Sequence, residues 1–161
     1  MTTQGDARMV FEPTIGHGDI VVGDRDLERD DGLETSVIIS LFSNRRADEE
    51  DVLPDEDGSR EGWWADRADP DETNPDLIGS KLWLLGRGKF VTDLPARAEE
   101  FAKEGLQWMI DDGVASEVQV SASRAGTYEL SIEVRIVRPE AVTATFFRYF
   151  YNWQNQIARS G

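Results

Sequence analysis

The chain contains no cysteine and only one histidine, His17. Without cysteine there is no disulfide framework, no thiolate metal site and no cysteine nucleophile. That composition fits assembly in a cytoplasm. A lone histidine between two glycines supports neither a His-rich metal centre nor a Ser–His–Asp triad, so His17 reads as an exposed loop residue. No run of 18 apolar residues occurs, and no membrane span is expected. The start, MTTQGDARMV, lacks a basic stretch followed by an apolar one, and no signal peptide is expected. There is no Gly-rich phosphate loop, no GxSxG elbow and no HExxH. The GRG at 86–88 reads as a turn.

Basic residues are scarce in one half only. Residues 1–80 hold 22 acidic against 7 basic side chains, whereas residues 81–161 hold 10 of each. The whole net charge of −15 therefore sits in the N-terminal half. Such a surface repels phosphates, so no nucleic-acid partner is expected. Most of these carboxylates read as solvation of loops. The 161 residues suffice for one domain, which at this size hides roughly 68–70% of the unfolded surface.

Residues 1–17 show no hydrophobic period and read as an irregular N-terminal arm; a single α+β domain is expected over 18–153 and a tail over 154–161. Ile20-Val21-Val22 suits a short strand. In LETSVIISLFSNRR, the apolar residues Val37, Ile38, Leu41 and Phe42 recur at helical spacing, while their β-branching argues for a strand. Residues 47–80 contain Pro54, Pro70 and Pro75 and most of that half's acidic groups, and read as a long loop holding the aromatic pair Trp63-Trp64. Thr92 or Asp93 can cap a helix that accepts Pro95 in its first turn; Ala98, Phe101, Ala102, Gly105, Trp108 and Met109 share its apolar face, and Gly113 ends it. Strict alternation over 118–123 and 128–136, joined by SRAGT, predicts a hairpin with one buried face, and VTATFFRYFYNW a third strand. The fold class is α+β, with a small antiparallel sheet packed against helices.

No chemistry emerges from the carboxylates. Asp24, Asp26, Glu28, Asp30, Asp31 and Gly32 resemble a calcium loop, but Arg29 and Thr35 occupy the positions where an EF-hand needs Gly and Glu. Asp48-Glu49-Glu50-Asp51 reads as a solvated loop rather than a metal cage. With 32 carboxylates, a pair at glycosidase spacing carries no information. No catalytic, cofactor or metal residue is assigned. Trp63 and Trp64 stand out, because large exposed apolar groups mark contact sites; anchoring of the loop on its own core is the alternative.

The segments GLETSVIISLFSNRRA, REGWWAD, IGSKLWLLGRGKF, RAEEFAKEGLQWMIDDGVASEVQV and LSIEVRIVRPE, in that order over about 18–153, resemble the phage Mu-type baseplate wedge family. That family is similar to the sheath-initiator proteins of other contractile tails and to the matching subunit of type VI secretion baseplates. The resemblance implies a fold likened to a lobe of phage lysozyme, and a structural role in the virion's tail baseplate, assembled in the host cytoplasm. Its implied partners are other wedge proteins and the tail sheath, without cofactor, nucleic acid or membrane. It also implies that an arginine just after the first helix, within a Glu-Pro-Arg-like motif, holds the wedge together. Here the place reads Ser43-Asn44-Arg45-Arg46, which keeps arginine and loses glutamate and proline. Arg45 or Arg46 could pair with a partner carboxylate, or simply complement the helix dipole. Two competing readings are a peptidoglycan-cleaving hydrolase, weakened by Asn44 where the acid is expected, and an acidic adaptor unrelated to tails.

Overall fold

Alternating apolar and polar residues in the C-terminal half bury one face of a sheet. The computed structural model describes residues 32–54, 60, 62, 78–88 and 93–161, with the backbone of four short N-terminal strands. Those strands are β1 (Asp6–Ala7), β2 (Met9–Glu12), β3 (His17–Ile20) and β4 (Arg29–Asp30); β1 pairs with β4 and β2 with β3. Strand backbone thus occupies part of the stretch expected to be an irregular arm, where Met9, Val10 and Phe11 supply a run suited to a strand. Ile20 lies in β3, while Val21 and Val22 fall outside the described residues.

The main sheet has four antiparallel strands, β5 (Glu117–Arg124), β6 (Glu129–Val137), β7 (Thr145–Asn152) and β8 (Ile157–Ser160), in spatial order β5-β6-β7-β8. Leu130, Ile132, Val134 and Ile136 on β6 all face inward and are buried. Register sets Val134 between Val120 and Phe147, and Tyr151 between Leu130 and Ala158. The outer face carries the ion pairs Arg135–Glu117, Arg148–Glu133 and Arg159–Glu129, with the Arg159 guanidinium 4.2 Å from the centre of the Phe150 ring. β8 replaces the expected C-terminal tail. Its two apolar residues are too few to show a period, and the pairing of Ala158 with Tyr151 decides its place.

The inner face is covered by helices. α1 (Leu33–Phe42) buries Leu33, Val37 and Leu41, which settles the helix–strand ambiguity in favour of the helical spacing. Phe42 packs edge-on to Tyr149. In α2 (Leu94–Leu106), Asp93 takes the N-cap position through its backbone carbonyl, which accepts from the Arg97 N–H, and Pro95 sits in the first turn. The apolar face buries Ala98, Phe101, Ala102 and Gly105 as expected. The helix does not run on to Gly113: it breaks at Gln107 and resumes as α3 (Trp108–Asp111). There the buried stripe is kept only by Met109, while Trp108 turns partly outward. Between α1 and α2 runs a 3-10 helix, Leu82–Gly88, whose Leu82, Trp83, Leu84 and Leu85 are all buried. A segment apolar on every side belongs in the middle of a core. Among the described residues, no helix is long and apolar enough to cross a membrane.

Candidate partner-binding site

The segment leaving α1 is fixed by two backbone and two side-chain hydrogen bonds. Asn44 and Ser80 form a parallel bridge: the Ser80 N–H donates to the Ser43 carbonyl at 3.0 Å, and the Arg45 N–H to the Ser80 carbonyl at 3.0 Å. The Ser80 hydroxyl donates to the Leu41 carbonyl, and the Trp83 indole N–H to the Arg45 carbonyl at 2.8 Å. Four hydrogen bonds therefore tie the end of α1 to the start of the 3-10 helix. Gly79 makes this possible. Its φ is +101°, and a Cβ there would lie 2.2 Å from the Ser43 carbonyl oxygen.

This tether orients the two arginines differently. The Arg45 side chain is about one quarter exposed and points inward, with a terminal nitrogen 3.6 Å from Glu104 on α2. Its Nε is buried without a hydrogen-bond partner. Arg46 is exposed, with its Cβ against Gly62, and lines a polar pocket of about 310 Å³ with Asp48, Glu49 and Arg60. Arg60 reaches back to donate to the Asp48 and Glu49 carbonyls. Trp63 and Trp64, the other two residues singled out from sequence, lie outside the described residues.

A cation the sequence reading passed over organises this region. The Lys81 side chain is only 6% exposed, with its Nζ 2.5 Å from Asp48, 2.9 Å from Asp51 and 3.8 Å from Glu104. The acidic run is thus divided: Asp48 and Asp51 hold Lys81, and Glu49 and Glu50 face solvent. The expectation of a solvated loop fails for Asp51, which is drawn in because a buried ammonium needs counter-charge, while Asp48 meets the same ammonium and stays largely exposed. Burial works to raise the Asp51 carboxyl, yet the hydrogen bonds from Lys81 and the Asp48 N–H, with the charges of Lys81 and Arg60, hold it below its ordinary value. Burial likewise works to lower Lys81, and is outweighed by Asp48, Asp51 and Glu104, which hold it above the usual lysine value. Among the described residues, no group of three or more His, Cys, Asp or Glu is arranged to hold a metal ion.

Lys81→Met should destabilise the chain by about 2 kcal/mol, within the range for hydrogen bonds to charged groups and below that for a fully buried pair, because Asp48 remains largely exposed. In a domain of this size that lowers Tm by roughly 4–8 °C. The sign with pH follows from the two shifts. A carboxyl held low contributes stability that is lost as pH falls through its folded value, and an ammonium held high contributes stability lost as pH rises through its own. The gap between wild type and Lys81→Met in thermal unfolding should therefore close at both ends. A gap that persists well below the ordinary carboxylate range would rule out the Asp51 contribution.

Comparison with known proteins bears on the same stretch. The family model for phage protein GP46 matches residues 33–143, from the start of α1 to the loop before β7. A protein of Escherichia phage Mu named baseplate protein gp46 is 40% identical over 127 residues, covering 79% of this chain and 84% of its own length. The Mu-like prophage FluMu protein gp46 of Haemophilus influenzae is 38% identical over 128 residues, covering 80% of this chain and 84% of its own. The matched region contains the Asn44–Ser80 bridge, both arginines and Lys81.

Proposed function

This chain belongs to the GP46 family of phage proteins, and from that premise we propose that it is a structural, non-catalytic subunit of a contractile-tail baseplate. In this reading it joins neighbouring wedge proteins and templates the first ring of tail sheath within the virion. The observation that carries it is the 40% identity to the phage Mu baseplate protein across most of both chains. A role without catalysis is supported by Asn44, an amide where the hydrolase reading needs an acid.

The geometry favours Arg46 as the residue that reaches a partner carboxylate. Arg45 is engaged with Glu104, whereas Arg46 is exposed beside Arg60 in an open pocket, and two guanidiniums suit a carboxylate held bidentately. We assign Trp63 and Trp64 to the same contact on sequence grounds alone, as large apolar residues in an acidic loop. The test is complementation of a particle lacking its own copy of this subunit, counting assembled baseplates by electron microscopy. Arg46→Ala should leave the isolated fold intact and reduce assembly by about a hundredfold or more, the effect of breaking one side of a desolvated charge pair. Arg45→Ala should instead act on the chain itself, by about 1 kcal/mol. Normal assembly by both Arg46→Ala and Arg46→Glu at raised salt would remove the arginine contact from this proposal.

A further inference from the structure

Away from the arginines, the surface between α1 and α3 opens into a groove of about 290 Å³. Ile39, Ile78 and Trp108 supply its apolar lining, Ser36 and Ser40 their hydroxyls, and Asp112 a carboxylate. It is preformed: the Trp108 indole N–H donates to the Ser40 hydroxyl at 2.9 Å, which holds the ring in place. Gly105 lets α2 approach α1, since a Cβ there would lie 2.8 Å from the Ser40 carbonyl. Ile39 is nonetheless 40% exposed and Trp108 36%, and both lie in the groove's lining.

Among the side chains that line the groove, the one charged group is the Asp112 carboxylate, and no lysine or arginine is among them. A second copy of this chain, with its net charge of −15, would bring acid to acid. We propose that the groove seats one apolar side chain of a cationic amphipathic segment of another protein: a leucine, methionine or phenylalanine flanked by lysine or arginine, with a base meeting Asp112. Helix-in-groove recognition works this way, with the anchor providing affinity and the flanking charge orientation. The proposal is independent of the arginine contact and is tested on the free full-length chain.

The probe is a synthetic peptide of about 15 residues built from leucine and lysine, compared with its leucine–glutamate counterpart and followed by the NMR signal of the Trp108 indole N–H, assigned through Trp108→Phe. The leucine–lysine peptide should shift that signal saturably and the leucine–glutamate peptide should not. Ile39→Glu separates insertion from simple attraction. It adds negative charge, so attraction alone would tighten binding, whereas a blocked seat weakens it by about tenfold. Asp112→Asn should weaken binding by about threefold, as expected for one exposed ion pair. Binding that survives Ile39→Glu, or leaves Trp108 unmoved, overturns the proposal. So does self-association of the chain that Ile39→Glu abolishes, which would assign the groove to a second copy. In assembled particles, the Ile39→Cys variant carries the chain's only thiol, which should react with maleimide in the free subunit and be protected in the baseplate. Equal reactivity in both states would also overturn it, and would leave the baseplate reading standing.

Discussion

Replacing Gly79 by alanine should be among the most damaging single changes in this chain, costing about 4 kcal/mol and lowering Tm by roughly 8–16 °C. Two penalties add. At φ +101° an L side chain is strained wherever it sits. The new Cβ would also fall 2.2 Å from the Ser43 carbonyl oxygen and 2.7 Å from its carbon, and neither is the end of a flexible side chain. The backbone must move, and the atoms that move are those that receive the Ser80 N–H. The Asn44–Ser80 bridge, and with it the outward aim of Arg46, depends on this contact. A milder substitution provides the control: Gly113→Ala pays for its positive φ of 72° but meets nothing within 4 Å, so it should cost only about 1 kcal/mol. Thermal or urea unfolding of the two variants measures the difference directly. Equal costs at Gly79 and Gly113 would mean that conformation alone matters and that the bridge yields freely.

The parts of this fold legible in the sequence are those where one side of an element is buried and the other wet. Alternation along 128–136 appears in the structure as the buried row from Leu130 to Ile136, and the helical face from Ala98 to Gly105 packs as its spacing implies. Where burial is on all sides or the element is short, no period exists to be read. The 3-10 helix at Leu82–Gly88 and the four-residue strand β8 are of this kind. The break at Gln107 was hidden for a different reason: the apolar spacing continues through it, and contact of Trp108 with Ser40, 68 residues away, is visible only in three dimensions. The candidate site was legible in composition but not in arrangement. Adjacent arginines after a helix look equivalent until Glu104 engages one of them. Lys81, one lysine heading an apolar run, gains its role from carboxylates about 30 positions earlier and 23 later, a pairing that no local pattern encodes.

The proposed sheath-templating role has its test at the sheet's edges. Its two edge strands are β5 and β8, and β2 comes alongside β8. β8 reaches as far as Tyr149 on β7 and the Gly161 N–H donates to the Arg148 carbonyl, so β7 itself is open just over Thr145–Phe147. β5 is the long edge, eight residues without proline, and nothing among the described residues pairs with its outer side. The Ala125 N–H donates to Glu129, and alternation from that pair points Gln119 and Ser121 toward β6 while Val118, Val120 and Ala122 offer their N–H groups to the open edge. If an extended arm of the sheath protein adds there, these are the donors it must use. Proline distinguishes the two sets. At Val118 or Ala122 it removes a donor the fold does not need, so the chain should fold and enter the baseplate while sheath polymerisation fails almost completely. At Gln119 or Ser121 it removes a ladder bond to β6 and should cost the fold about 3 kcal/mol. Particles assembled with each variant, examined by electron microscopy for baseplates with and without sheath, give the answer. Sheath of normal length and number on baseplates carrying either Val118→Pro or Ala122→Pro would mean that β5 does not accept the strand.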